Sequence, residues 1–124
     1  MEKENIWQDS SVLIVDDHNK DCEELSIIYK RLGFRVCGFA KNGLEALQMY
    51  DEKKPDLVSL DIVMPIMHGI ECYRELKKKN VSIKVIFISC LGGNELRESM
   101  KEELSEELIL AKPISEGALL ASLN

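Results

Sequence analysis

The chain has 124 residues, of which 45% are hydrophobic and 31% charged, a composition that fits one globular domain and disfavours an intrinsically disordered chain. Its formal net charge of -6 disfavours binding to nucleic acid or to an anionic membrane surface. The polar N-terminus lacks the apolar core of a secretory signal, and no apolar run approaches the roughly 20 residues that cross a bilayer. We therefore predict a cytoplasmic protein, with no nucleic-acid binding within this chain and no membrane contact.

Five short apolar runs are predicted to be β-strands, and they occupy residues 12–15, 35–40, 57–60, 84–88 and 108–111. Strands as apolar as these are usually covered on both faces, which indicates a parallel sheet. The four cysteines, Cys22, Cys37, Cys72 and Cys90, form no C-x-x-C pair and have no histidine at zinc-finger spacing. We interpret them as reduced, buried thiols.

Amphipathic stretches separate the strands and predict five helices. Gly33 should end the first helix. Asn42, with Glu45 as its reciprocal partner, should cap the second helix, and Ser115 should cap the fifth. The inward positions that we predict are Leu25, Ile28, Tyr29 and Leu32 in the first helix, Leu44 and Leu47 in the second, Ile70, Tyr73 and Leu76 in the third, and Leu96, Met100 and Leu104 in the fourth.

Strands and helices therefore alternate five times, which predicts an α/β fold with a doubly wound (βα)5 sheet. We assign residues 1–10 to an N-terminal extension and residues 11–124 to the folded domain. In doubly wound sheets the functional residues lie at the carboxyl ends of the strands. The residues at those ends are therefore the candidates for a functional site.

Groups that handle metal or phosphate follow four of the five predicted strands. Asp16 and Asp17 follow the first strand, Asp61 the third, Ser89 the fourth and Lys112 the fifth. Two carboxylates 4 Å apart repel by roughly 4 kcal/mol at an effective dielectric constant near 20. Such a cluster would take up a cation, and Mg²⁺ suits oxygen ligands that share a phosphate. With the ammonium and hydroxyl groups added, the sequence predicts a phosphoryl-transfer site.

Each of these residues also has a structural explanation. The two adjacent aspartates could form a helix-capping turn, Asp61 could begin a loop, Ser89 could cap a helix, and Lys112 with Pro113 could precede one. We favour the functional interpretation because all of them are predicted to meet at one edge of one sheet.

Four segments, VLIVDDH (12–18), LVSLDIVMPIMHGIE (57–71), VIFISC (85–90) and LAKPI (110–114), resemble the receiver domains of two-component response regulators, including the stand-alone chemotaxis type. The resemblance extends from residue 12 to about residue 123. It implies a flavodoxin-like three-layer sandwich whose parallel strands are ordered 2-1-3-4-5.

The resemblance also implies a role for each site residue. Asp61 would be the phosphoacceptor, Asp17 a direct Mg²⁺ ligand and Asp16 a ligand mainly through water. The backbone carbonyl of Val63 would be the third protein ligand. Ser89 would be the hydroxyl that turns onto the phosphoryl group.

Lys112 would pair with that phosphoryl group, and its bond to Pro113 would be cis. The donor would be a histidine kinase, a phosphotransfer protein or a small acyl phosphate. A downstream protein would bind the switched form after the loop at residues 90–94 has moved. Ile109 stands where such domains often carry a switching aromatic, so that a readout through an aromatic side chain is not expected.

Three other functions are alternatives to this one. A haloacid-type phosphohydrolase would need a second aspartate two residues after the nucleophile, where Val63 stands. A flavin-binding domain would need a phosphate-cradling loop after the first strand, where carboxylates stand instead. A phosphorylation-independent interaction module remains the main alternative. We predict that the chain is a signalling protein and not an enzyme.

Overall fold

The structure, a computed structural model of the chain, describes residues 6–64, 67–89 and 108–123. Its strands are β1 (Ser11–Val15), β2 (Arg35–Ala40), β3 (Leu57–Asp61), β4 (Lys84–Ser89) and β5 (Leu108–Ala111). The helices in these residues are α1 (Asn19–Arg31), α2 (Gly43–Lys53), α3 (Gly69–Lys79) and α4 (Glu116–Leu123). The predicted helix of Leu96, Met100 and Leu104 and the loop at residues 90–94 lie outside the described residues.

All neighbouring strands are parallel, and they are ordered β2-β1-β3-β4-β5. Helices cover both faces of this sheet, and a separate apolar cluster fills the space between the sheet and the helices on each face. One cluster joins the sheet to α2 and α3, and the other joins it to α1 and α4. The predicted α/β fold and the implied three-layer architecture and strand order are therefore confirmed.

The central strands are buried on both faces, as their apolar sequences predict. Adjacent residues of β1 alternate between the two clusters, with Leu13 on the α2 and α3 side and Ile14 on the α1 and α4 side. Both side chains are fully buried. This burial fixes the register of β1, since a slip by one residue would exchange the faces.

The predicted helix ends are found in the structure, with one error in the inward face of α2. Asn42 Oδ1 accepts a hydrogen bond from Glu45 N at 2.9 Å, so the predicted cap is present. Leu44, however, is 48% exposed. Its predicted inward position was wrong because Ala46 and Tyr50 form the buried stripe of this helix.

Gly33 follows α1 with a φ of 99°, a backbone conformation that favours glycine. Ser115 Oγ accepts a hydrogen bond from Ala118 N at 3.0 Å and caps α4. The peptide bond between Lys112 and Pro113 is cis.

The described part of the N-terminal segment packs against the domain. The Trp7 ring stacks on Phe34 with 5.6 Å between ring centroids. Its Nε1 donates a hydrogen bond to the carbonyl oxygen of Leu123 at 3.0 Å. Residues 6–10 therefore link the start of β1 to the end of α4.

Three cysteines lie in the described residues, and they are free thiols. Burial raises the pKa of Cys22 to about 11 and that of Cys72 to about 12, whereas Cys37 is only half-buried. The predicted buried thiol at Cys90 lies outside the described residues. None of the helices that the structure describes is long and apolar enough to span a membrane.

Candidate functional site

The register of the sheet brings the predicted site residues to one edge. Val15 pairs with Leu60 across β1 and β3, so that the residues that follow them, Asp16 and Asp61, lie at the same edge of the sheet. Both aspartates are almost fully buried, with 1% and 3% of their surface exposed. Two carboxylates are thus held beside each other at the carboxyl edge of the sheet.

A third carboxylate and an imidazole complete an acidic cluster. Asp16, Asp17, His18 and Asp61 each offer one potential ligand atom, and these atoms lie within 4.8 Å of one another. Asp17 Oδ1 is buried and accepts no hydrogen bond from the described residues. His18 Nδ1 lies 3.1 Å from that oxygen.

Lys112 supplies a positive charge to this edge from the end of β5. Its Nζ lies 2.8 Å from Asp16 Oδ2, 2.9 Å from Asp21 Oδ2 and 3.6 Å from Asp61 Oδ2. Burial would lower the pKa of Lys112, but the close contacts with the Asp16 and Asp21 carboxylates and the charge of Asp61 outweigh burial and raise it above its usual value. The ammonium group is therefore charged at neutral pH.

Asp61 is held in an environment that disfavours its negative charge. Burial and the neighbouring Asp16 raise the pKa of the Asp61 carboxyl, while Lys112 and the backbone N–H of Val63 act in the opposite direction. That N–H donates to Asp61 Oδ1 at 3.4 Å. An environment that disfavours the charged form of a carboxylate is expected for a group that reacts or binds a cation.

The donor set fits a hard divalent cation. The atoms that converge are carboxylate oxygens, which Mg²⁺ prefers as ligands. Lys112 alone cannot balance the charges of Asp16, Asp17 and Asp61, and its second short contact goes to a further carboxylate, Asp21. A bound cation would remove this imbalance.

Ser89 lies at the same edge, at the end of β4. Its neighbour Ile88 pairs with Asp61, and Ser89 itself pairs with Ala111. The residue is fully buried, and its carbonyl oxygen accepts a hydrogen bond from Lys112 N at 2.9 Å. Pairing of the backbone thus holds Ser89 and Lys112 beside the acidic cluster.

Gly69 is a positioning residue that the sequence analysis did not single out. A Cβ atom there would lie 2.3 Å from the Asp61 carbonyl oxygen and 2.6 Å from Ile62 Cα. Gly69 N also donates a hydrogen bond to the Ile62 carbonyl oxygen at 2.8 Å. The start of α3 is thereby held against the backbone that carries Asp61. A glycine that opens a helix is a sequence signal for such a close approach.

Two further polar residues of the site were also missed. His18 Nδ1 approaches Asp16 and Asp17, and Asp21 approaches Lys112. Asp21 lies in the first turn of α1, and no sequence signal indicates its contact with a lysine 91 positions away. No sequence signal fixes the orientation of the His18 ring.

Comparison with known proteins agrees with this geometry. The family model for the response regulator receiver domain matches residues 12–124. The chemotaxis protein CheY of Thermotoga maritima is 36% identical over 114 residues, which cover 91% of this chain and 93% of that protein. CheY of Listeria monocytogenes is 38% identical over 113 residues, which cover 91% of this chain and 94% of that protein.

Solved structures show the same similarity. A CheX-CheY-BeF3-Mg complex from Borrelia burgdorferi contains a chain that is 31% identical, with a TM-score of 0.83. That match covers 92% of this chain and 86% of the Borrelia chain. The receiver domain of the Francisella response regulator 1452 is 28% identical with a TM-score of 0.80, and the match covers 94% of each chain. The chain therefore belongs to the response regulator receiver domain family, whose members act in two-component signalling.

Proposed function

We propose that Asp61 accepts a phosphoryl group in a reaction that depends on Mg²⁺. The observation that carries the proposal is a buried carboxylate, 3% exposed, that lies beside the Asp16 carboxylate with the Lys112 ammonium 3.6 Å away. Such a carboxylate lacks the hydration shell that would compete with a phosphoryl group. It also has a fixed positive charge where negative charge builds up during transfer.

The transfer is a substitution at phosphorus. A carboxylate oxygen of Asp61 attacks the phosphorus atom, and the bond between phosphorus and the donor breaks. The electron pair leaves with the donor, which is a histidine side chain of a kinase or phosphotransfer protein, or acetate when acetyl phosphate is used. Catalysis in such reactions comes chiefly from positioning and from charge stabilisation.

The residues that would hold Mg²⁺ are Asp16, Asp17 and Asp61, together with the backbone carbonyl of Val63. We assign Asp17 to direct coordination and Asp16 to contact mainly through water. When bound, the ion would neutralise charge on the phosphoryl oxygens. The convergence of Asp16, Asp17 and Asp61 with the unbalanced charge of their cluster supports this set.

Lys112 and Ser89 would then bind the phosphoryl group. Lys112 Nζ lies 3.6 Å from Asp61 Oδ2, within reach of a group bound there. Ser89, held one residue beyond the partner of Asp61 in β4, would contribute its hydroxyl group. These two contacts would couple phosphorylation to the loop that follows β4, and so to the binding of a downstream protein.

The related Borrelia CheY has been solved with CheX, BeF3 and Mg²⁺. By analogy, we infer that this chain has a phosphodonor protein upstream and a protein target downstream. Because it is a receiver domain, it is a signalling protein and not a classical enzyme. Its chemistry would be limited to gaining and losing its own phosphoryl group. The cytoplasmic location predicted from the sequence stays a prediction.

The test is incubation with acetyl phosphate and Mg²⁺, followed by measurement of the intact mass. We expect one added phosphoryl group on the parent protein and none on Asp61→Asn. Asp51→Asn is the matched control, because Asp51 lies on α2 and pairs with Lys79 at the surface. Chelation of the divalent ion should slow the reaction strongly.

A folded parent protein that gains no phosphoryl group would contradict the proposal and favour the phosphorylation-independent interaction module. Equal phosphorylation of Asp61→Asn would show that another residue is the acceptor. Multiple turnovers of a phosphate ester would favour a phosphohydrolase.

A further inference from the structure

Lys112 is held closer to α1 than to Asp61. Its Nζ lies 2.9 Å from Asp21 Oδ2 and 2.8 Å from Asp16 Oδ2, whereas the distance to Asp61 Oδ2 is 3.6 Å. Asp21 belongs to the first turn of α1, and its side chain is 32% exposed. A carboxylate outside the predicted metal-binding set therefore competes for the ammonium group that would bind the phosphoryl group.

The two short contacts differ in what a bound cation would do to them. Asp16 belongs to the acidic cluster, so that a cation bound there would attract its oxygens and weaken their hold on Lys112. Asp21 is not part of that cluster and would keep its contact. With the cation in place, Asp21 would be the main carboxylate that holds Lys112 away from Asp61.

We propose that Asp21 is a positioning residue that holds Lys112 toward α1 and thereby slows phosphorylation of Asp61. This inference rests on the proposed function, since it concerns the rate of that reaction. The competition concerns the position of the ammonium group: the Asp21 carboxylate at 2.9 Å draws Nζ toward α1, whereas phosphoryl oxygens on Asp61 would draw it toward β3. Removing the carboxylate would leave Lys112 free to pair with the incoming group.

The test compares two substitutions that remove the same charge. Asp21→Asn removes the carboxylate that contacts Lys112. Glu24→Gln removes an exposed carboxylate on the same helix that forms no ion pair with Lys112 in the described part of the chain. Because both substitutions remove one negative charge near an anionic donor, their difference isolates the contact.

Rates of phosphorylation would be measured with acetyl phosphate at saturating Mg²⁺. We expect Asp21→Asn to react roughly threefold faster than Glu24→Gln, the effect of losing a partly exposed ion pair. Asp21→Glu retains a carboxylate and should return the rate toward that of the parent protein. A substitution that merely disturbed α1 would not be corrected in this way.

A Lys112→Ala background supplies the second measurement. There the difference between Asp21→Asn and Glu24→Gln should disappear, because Asp21 acts through the missing ammonium group. Equal rates for the two variants in the parent background, or a difference that persists without Lys112, would overturn the role of Asp21. Failure of the parent protein to be phosphorylated would instead overturn the proposed function, and the inference with it.

Discussion

Carboxylates at the two ends of the sheet lie in opposite environments. At the amino end, Asp56 Oδ2 accepts hydrogen bonds from Ser11 N at 2.9 Å and from Ser11 Oγ at 3.3 Å, and Ser11 Oγ accepts one from Asp56 N. At the carboxyl end, Asp16 and Asp61 are buried beside each other and share the ammonium group of Lys112.

This difference separates stability from function. The Ser11 N–H and hydroxyl and the Asp56 N–H all have partners within this pair, so that the pair joins β1 to the start of β3. The carboxyl end keeps negative charge in excess, which disfavours folding but favours binding of a cation and a phosphoryl group. Four predictions test the comparison, and they are given from the largest expected change in unfolding free energy to the smallest.

Gly69→Ala should lower the unfolding free energy the most, by about 3 kcal/mol, because the added methyl group would overlap the backbone of Asp61 and Ile62. It should also slow phosphorylation, since the displaced backbone carries the phosphoacceptor. Gly117→Ala is the matched control, because outside its own helix backbone and chain neighbours no atom of the described residues lies within 4 Å of the position of its Cβ. Urea unfolding would measure both variants. Similar losses for the two would refute the close approach at Gly69.

Asp56→Ala should lower the unfolding free energy by about 2 kcal/mol, because it leaves the N–H of Ser11 without its carboxylate partner. Ser11 is 9% exposed, so that water can replace the lost contact only in part. The rate of phosphorylation should stay close to that of the parent protein. A large change in that rate would show that the two ends of the sheet are coupled.

Asp61→Asn should have the opposite effect on stability. In the absence of divalent ions it should raise the unfolding free energy by about 1 kcal/mol. The pKa of Asp61 is raised on folding, so that its charge is unfavourable at pH values above that raised pKa. The gain should shrink as the pH falls through the raised pKa and vanish below the ordinary aspartate value, where the carboxyl is protonated in both states.

Saturating Mg²⁺ should make the parent protein more stable than Asp61→Asn, because only the parent retains all three carboxylates that would bind the ion. Thermal unfolding with and without Mg²⁺ would show both the dependence on pH and the effect of the ion. The pH would be varied from 4 to 8, because the usual aspartate pKa is about 3.9. If Asp61→Asn is less stable than the parent at neutral pH without Mg²⁺, the carboxyl end is not an unfavourable cluster of charge.

The sequence predicted the parts of this comparison that depend on local pattern. Asp16, Asp61, Ser89 and Lys112 follow apolar strands directly, and the parallel sheet brings strand ends together without further information. The contact between Lys112 and Asp21 joins residues 91 positions apart. It depends on a side-chain orientation that no local pattern encodes, and it was missed.

Packing between distant elements limited the prediction in the same way elsewhere. Leu44 was assigned inward from its apolar character, but the buried stripe of α2 consists of other residues. The partner of Trp7 was not predicted, because nothing in the neighbouring sequence indicates a residue 116 positions away. Both cases concern surfaces that only the folded sheet and helices create.

Trp7→Phe should lower the unfolding free energy the least, by about 0.5–1 kcal/mol, because it keeps an aromatic ring on Phe34 but removes the hydrogen bond to Leu123. Urea unfolding followed by circular dichroism would measure it. Ile6→Ala is the control, since Ile6 is 77% exposed. Phosphorylation should be unchanged, because Trp7 lies at the amino end of the sheet, away from Asp61. Equal stability of the two variants would contradict a link between the N-terminal segment and α4, whereas slower phosphorylation of Trp7→Phe would show that this link reaches the acidic cluster.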